Sequence, residues 1–262
     1  MDRAKGAASE LAAPDRTSSH AQREDAARTV RSETDGKIAG SRRTRTLLRL
    51  RHPRWLPAVV VASGFLPLVL LGAGFASDML SDTRFLSANP IEFMEHFTGE
   101  WNLRFLALTL AVTPAIKLTG LGWLIRYRRI FGLFAFLYIV VHLAIYFSLD
   151  VELSWSDLVA DVTERTYITL GMVGFLLLVP LALTSTKAWI RRLGSERWTA
   201  IHRSIYPAAL LGVAHYWMAV KKDITEPSMF ASIFALLLGY RLLALRRRGP
   251  SGARRASAVV LD

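Results

Sequence analysis

Apolar residues in this chain fall into long unbroken runs, not into the stripes of an amphipathic surface helix or the alternation of a half-buried strand. The runs cover about residues 56–76, 103–119, 130–148, 167–186, 201–220 and 229–245. Most approach the ~20 residues a helix needs to cross the hydrocarbon of a bilayer. They predict an all-α polytopic membrane protein, a six-transmembrane-helix bundle within residues 55–246. The run at 103–119 is the shortest, and Thr113-Pro114 predicts a kink there whose freed carbonyl a neighbour must satisfy.

Polar residues between the runs orient the bundle. Basic residues cluster at Arg42–Arg54, at Arg126, Arg128 and Arg129, at Lys187–Arg203 and at Arg241–Arg248, which are alternate flanks. The positive-inside rule makes these flanks, and therefore both termini, cytoplasmic. The loop between the third and fourth spans is acidic, with Asp150, Glu152, Asp157, Asp161 and Glu164. Lys221 and Lys222 oppose the pattern in an outer loop, where Asp223 and Glu226 follow them.

Composition narrows the chemistry. The 262 residues are 52% hydrophobic and carry a net charge of +12, but the basic residues punctuate apolar runs and form no patch on a soluble domain, so topology explains them and nucleic acid does not. There is no cysteine, which excludes disulfides, iron–sulfur clusters and covalent c-type heme attachment. Residues 1–54 lack apolar periodicity and the features of a signal peptide, and read as a basic, disordered cytoplasmic tail; residues 247–262 read as a second, short one.

Against this apolar background the histidines carry the chemistry. An imidazole in hydrocarbon needs a partner, which makes His142, His202 and His215 functional candidates, with a buried hydrogen bond to a neighbouring helix as the plain alternative. With the third and fifth spans both running outward, His142 and His215 each precede the outer boundary by six residues, about 9 Å at the helical rise. Two neutral imidazoles at one depth suit the two axial positions of a heme iron, as in a low-spin electron carrier. His202 lies about 20 Å further in, where the residue facing it on the third span is Arg128, a poor iron ligand but a good partner for propionates. Thirteen residues leave His202 and His215 about 140° apart around an ideal helix, unless a distortion near Pro207 changes the phase. His96 precedes the second span at the outer surface, either a simple interfacial residue or one involved in electron exit or quinone contact; His20 and His52 fall in the tail and receive no role.

Several segments carry a family resemblance in their order and spacing: HFTG (His96–Gly99), Thr113-Pro114, RYRRIFGLF (Arg126–Phe134), His142, RTYITLG (Arg165–Gly171), LALTST (Leu181–Thr186), RRLGSERWTAIHRSIY (Arg191–Tyr206) and HYWMAVK (His215–Lys221). Over about residues 56–245 the chain resembles the MsrQ (YedZ) family of heme-binding membrane subunits, within the ferric reductase-like transmembrane superfamily. The resemblance implies b-type heme carried by His142, His202 and His215. It implies electrons drawn from quinol of the quinone pool or from a cytosolic flavin reductase. They would pass to an MsrP-like periplasmic molybdenum reductase that repairs methionine sulfoxide in proteins. It implies the bacterial inner membrane as location, the lipid bilayer as surroundings, and an electron-transfer subunit in place of a catalytic one. FMN is associated with the family, though no phosphate-cradling glycine loop locates it here. The superfamily often has two histidines on each of two helices, and Arg128 stands at one of those four places.

Arg126, Arg128, Arg129, Arg191, Arg192 and Arg203 could attract propionates, a flavin phosphate or an acidic donor, beside their simpler role in topology. Residues after the last run leave no room for a dinucleotide-binding domain, so reducing equivalents are expected from another molecule. Two other readings stay open: a stand-alone heme-containing ferric reductase, and a heme-free transporter relaying protons through histidines. The second would be favoured by intramembrane carboxylates, which none of the six runs contains.

Overall fold

The computed structural model describes residues 53–81, 86–220 and 223–246. Nearly all of the expected 1–54 tail, the 247–262 tail, His20, His52, Lys221 and Lys222 lie outside the described residues. Among those described, the regular elements are all helical: α1 (Leu56–Ser81), α2 (Pro90–Thr119), α3 (Ile125–Ile145), α4 (Trp155–Glu164), α5 (Thr166–Leu183), α6 (Lys187–His202), α7 (Ile205–Ala219) and α8 (Thr225–Arg246). A 3-10 turn (Gly122–Leu124) leads into α3, and a π-helical turn (Tyr146–Asp150) ends it.

Four stretches are long and apolar enough to cross a membrane: Leu56–Leu80, Gly122–Asp150, Thr166–Leu183 and Thr225–Ala244. The other two apolar runs fold differently from the expectation. The 103–119 run is the second half of α2, whose 30 residues begin at Pro90. Asn89 caps it, its Oδ1 accepting from Glu92 N at 3.4 Å and its Nδ2 donating to Glu92 Oε2 at 3.0 Å. Proline at the first helical position needs no N–H partner. Gly120 closes the helix at φ 74°, a left-handed conformation that costs glycine little, and its N–H reaches Ile116 O at 2.8 Å. Pro114 stays inside the helix. Glu95, Glu100 and Arg104 dilute the hydropathy of the first turns, which is why the apolar run begins late.

The run at 201–220 is broken. α6 ends at His202, Arg203 and Ser204 turn the chain, and α7 starts at Ile205. Ser204 Oγ donates to Ile201 O at 2.9 Å and approaches Leu177 O at 3.2 Å, anchoring the turn to α5. Pro207 sits in the first turn of α7, where a missing N–H is harmless. The fifth run is thus the end of one helix and all of another, and the continuous-helix phase of about 140° does not apply. The stretch before it, read as a loop, is helical α6, kinked at Gly194 by φ 74° and ψ 162°.

Two helix pairs dominate the packing: α2 lies along α3, and α5 along α7. α8 closes against α2 and α7, while α1 leans on α3. Asn102 cross-links the first pair, Nδ2 donating to Ala135 O at 2.7 Å, with both residues buried. Tyr138 Oη donates to Gly64 O at 2.9 Å, joining α1 to α3, and the missing Cβ of Gly64 makes room for the Phe134 ring. Phe105, Leu106, Phe134, Tyr138, Ala208, Ala209, Phe230 and Phe234 fill the interior. Outside, large apolar side chains face outward, including Val69 at 63%, Leu70 at 57% and Leu236 at 74% exposure. An exterior of this kind has hydrocarbon as its natural solvent.

Candidate functional site

A cavity opens between the two helix pairs near the end that carries the π-helical turn and α4, and His142 of α3 and His215 of α7 both line it. Their ring centroids are 6.2 Å apart and the rings stand at 84° to each other. His142 Nδ1 lies 3.0 Å from Glu95 O on α2, and His215 Nδ1 lies 2.6 Å from Tyr167 O on α5. A carbonyl only accepts, so each Nδ1 must be the protonated donor and each Nε2 keeps its lone pair. That is the tautomer a metal ligand needs, oriented as outer-shell carbonyls orient ligating histidines.

Each pair builds its half of the site by one device. The carbonyl of residue i, already engaged in its helix ladder, uses its second lone pair for the imidazole, and residue i+4 is glycine: Glu95 with Gly99, Tyr167 with Gly171. A Cβ on Gly99 would sit 3.5 Å from the His142 ring, an ordinary contact; on Gly171 it would sit 2.9 Å from His215 Nδ1. The histidines therefore lie in cradles without side chains, tightest at His215.

Two imidazoles on opposite faces of one metal ion, at bonds of about 2 Å, bring their ring centres to about 6 Å, so the observed separation fits a shared metal. Leu103, Leu106, Ile139, Phe175 and Leu178 give the cavity an apolar lining, which suits a flat hydrophobic macrocycle. Among the described residues no group of three or more His, Asp, Glu or Cys could hold a metal by itself.

The structure leaves His202 apart from the pair. It ends α6, its ring stacks on Trp198 with centroids 3.8 Å apart, and its Nδ1 lies 3.0 Å from Trp198 O. Its Nε2 is buried and has no partner among the described residues, the same tautomeric arrangement as at the other two. Arg128 is close enough for its charge to bear on His202. Among the described residues Arg128 makes no ion pair, and the second imidazole a symmetric inner site would need is missing there.

His96 belongs to α2 and lines the same cavity as His142 and His215, half-buried, with its ring 6.1 Å from that of Tyr216. It is a wall of the site and not a residue of a flanking surface. Glu95 also lines the cavity, its Oε1 buried without a partner among the described residues. Glu100 pairs with Arg104 at 2.8 Å and accepts from Tyr216 Oη at 2.9 Å, joining α2 to α7. Carboxylates therefore do stand on a long helix of the bundle, ahead of the run in which the sequence pattern placed the second span. Asp161 of α4 accepts from Tyr146 Oη and pairs at 3.1 Å with Arg165, and both of these partners line the cavity. Sequence reasoning passed over Thr98, Gly99, Tyr167 and Gly171; the one available signal was glycine in both HFTG and RTYITLG.

Comparison with known proteins gives this geometry a context. Residues 98–213, from Thr98 through most of α7, match the family described as the ferric reductase like transmembrane component. The chain is 51% identical over 195 residues to the protein-methionine-sulfoxide reductase heme-binding subunit MsrQ of Rhodospirillum rubrum, covering 74% of this chain and 90% of that one. It is 48% identical over 183 residues to the MsrQ of Xanthomonas oryzae pv. oryzae, covering 70% and 84%. With the MsrQ of Xanthomonas axonopodis pv. citri it shares 44% identity over 199 residues, covering 76% and 91%.

Proposed function

The chain belongs to the MsrQ family of protein-methionine-sulfoxide reductase heme-binding subunits, and on that premise we propose that it is a multi-pass inner-membrane electron carrier whose His142 and His215 hold one b-type heme. The observation that supports this most is the pair of imidazoles with ring centroids 6.2 Å apart, each with Nδ1 committed to a carbonyl and Nε2 without a hydrogen bond among the described residues. Held by these two imidazoles, a heme would supply reversible one-electron transfer. The chain's own residues hold the tautomers, fix the ring planes and line the site with Leu, Ile and Phe, so that few groups must reorganise when charge changes.

The wider reading has six crossings, with α2 and α7 as the second and fifth and both termini cytoplasmic, and puts the His142–His215 site near the periplasmic side. Electrons enter from quinol or a cytosolic flavin reductase and leave to an MsrP-like periplasmic molybdenum reductase that repairs methionine sulfoxide. The acidic segment Asp150–Glu164, whose Asp150 lines the cavity, is the face such a partner approaches. His202 offers one further imidazole at the inner end, so any second heme there would be held by His202 beside Arg128. FMN remains a family association without a site in these residues.

Purified protein is expected to show a low-spin b-type absorption spectrum that sharpens with dithionite. His142→Ala and His215→Ala should each remove the main signal. Full heme occupancy with unchanged spectra in both variants would reject the ligand assignment, and a heme-free native protein would favour the proton-relay reading that Glu95 and Glu100 make chemically possible. In liposomes with donor inside and the periplasmic reductase outside, methionine sulfoxide should reoxidise the heme. Heme that stays reduced, beside a reductase active with an artificial dye, would favour the stand-alone ferric reductase.

A further inference from the structure

The two halves of the site differ in what surrounds the histidine Nδ1. Thr98, fully buried on α2, donates its hydroxyl hydrogen to Met94 O at 2.7 Å, the usual back-bond of a threonine in a helix. Its oxygen then retains a lone pair, and His142 Nδ1 lies 3.3 Å away. Glu95 O, 3.0 Å from the same nitrogen, can only accept, so Nδ1 carries the proton and Thr98 Oγ1 is a second acceptor for it. At the other half, position 170, which stands to Gly171 as Thr98 stands to Gly99, is leucine. His215 Nδ1 has the single short contact of 2.6 Å with Tyr167 O.

We propose that Thr98 is a positioning residue for His142, sharing the Nδ1 proton with Glu95 O so that the imidazole is held in plane and made a stronger electron donor to whatever its Nε2 ligates. The inference rests on His142 being a heme ligand. An acceptor on Nδ1–H pushes electron density toward Nε2, favours the oxidised iron and lowers the midpoint potential. Removing one of two acceptors should raise the potential without reversing the tautomer, because Glu95 O remains.

The test compares Thr98→Ser, Thr98→Ala and Thr98→Val in the full-length purified protein by heme stoichiometry, redox titration and low-temperature electron paramagnetic resonance of the oxidised form. Val keeps the shape of threonine and loses the acceptor; Ser and Ala differ from each other by the hydroxyl alone. Val and Ala should retain heme with a midpoint shifted upward, by an oxidised-to-reduced ratio of up to about tenfold or 59 mV for one electron, and with altered g values. Ser should restore both readings. If the Val variant fails to load heme, the Ser–Ala pair decides, and equal potentials and g values in that pair overturn the proposal. Loss of heme in His142→Ala together with such equality sinks Thr98 alone. Full heme in His142→Ala sinks the ligand reading beneath it.

Discussion

Gly171→Ala should weaken heme binding about 5- to 150-fold and convert part of the remaining low-spin signal to high spin. An added Cβ would stand 2.9 Å from Nδ1 of His215, closer than real Cβ atoms come, and 3.1 Å from Cε1, tighter than most. Neither obstacle can yield cheaply. The ring is fixed by its 2.6 Å contact with Tyr167 O, and α5 is packed along α7. Overpacking of this kind costs about 1–3 kcal/mol, which gives the affinity range stated, at tenfold per 1.4 kcal/mol. Gly99→Ala supplies the control, since its Cβ would meet His142 at an ordinary 3.5 Å. Heme titration of both apoproteins, followed by absorption spectra, checks the contrast; a Gly171→Ala protein with native affinity and spectrum would show that the cradle has slack.

The largest stability loss is expected from Gly64→Leu, which should lower the unfolding free energy by about 2–4 kcal/mol through overpacking and a lost buried hydrogen bond. The first atom of the new side chain would already overlap the Phe134 ring. That ring is itself pinned, edge-on to Phe65 and stacked on Phe105, both at 5.1 Å. Separation of α1 from α3 would also take Gly64 O away from Tyr138 Oη, leaving a buried hydroxyl unpaired. Gly72→Leu, at a position in the same helix with nothing within 4 Å of the added Cβ, should leave the thermal midpoint in detergent unchanged. Equal shifts in the two variants would contradict the packing account.

Much of this was legible in the runs. Long apolar stretches announced an all-helical chain, and counting residues from the outer boundary put His142 and His215 at one depth, where the structure brings their rings together. What escaped detection did so for physical reasons. The first three turns of α2 carry Glu92, Glu95, His96 and Glu100, so a hydropathy pattern stops where the helix continues, and His96 with Glu95 was left outside the site they line. Ile201 and His202 read as the start of an apolar span, but Ser204 bonds back to Ile201 O and Pro207 suits a first turn, so two helices share one run. The cradle is harder still to foresee. It depends on carbonyls and on missing side chains, and a sequence displays neither until the helices that use them are side by side.

The division of labour between helix pairs also sets an order of events during synthesis. The α2–α3 pair emerges first, with one histidine and its carbonyl already matched. That pair carries one of the two proposed ligands. The complementary ring arrives only with His215, on α7. If His142 and His215 are the ligands, as proposed, a chain released before His215 offers half a grip, and cofactor loading is expected late in biogenesis. Because N-terminal parts settle first as a chain is made, a nascent chain stalled after α3 is then expected to be well formed in its first pair yet colourless, and pigment would report on completed assembly.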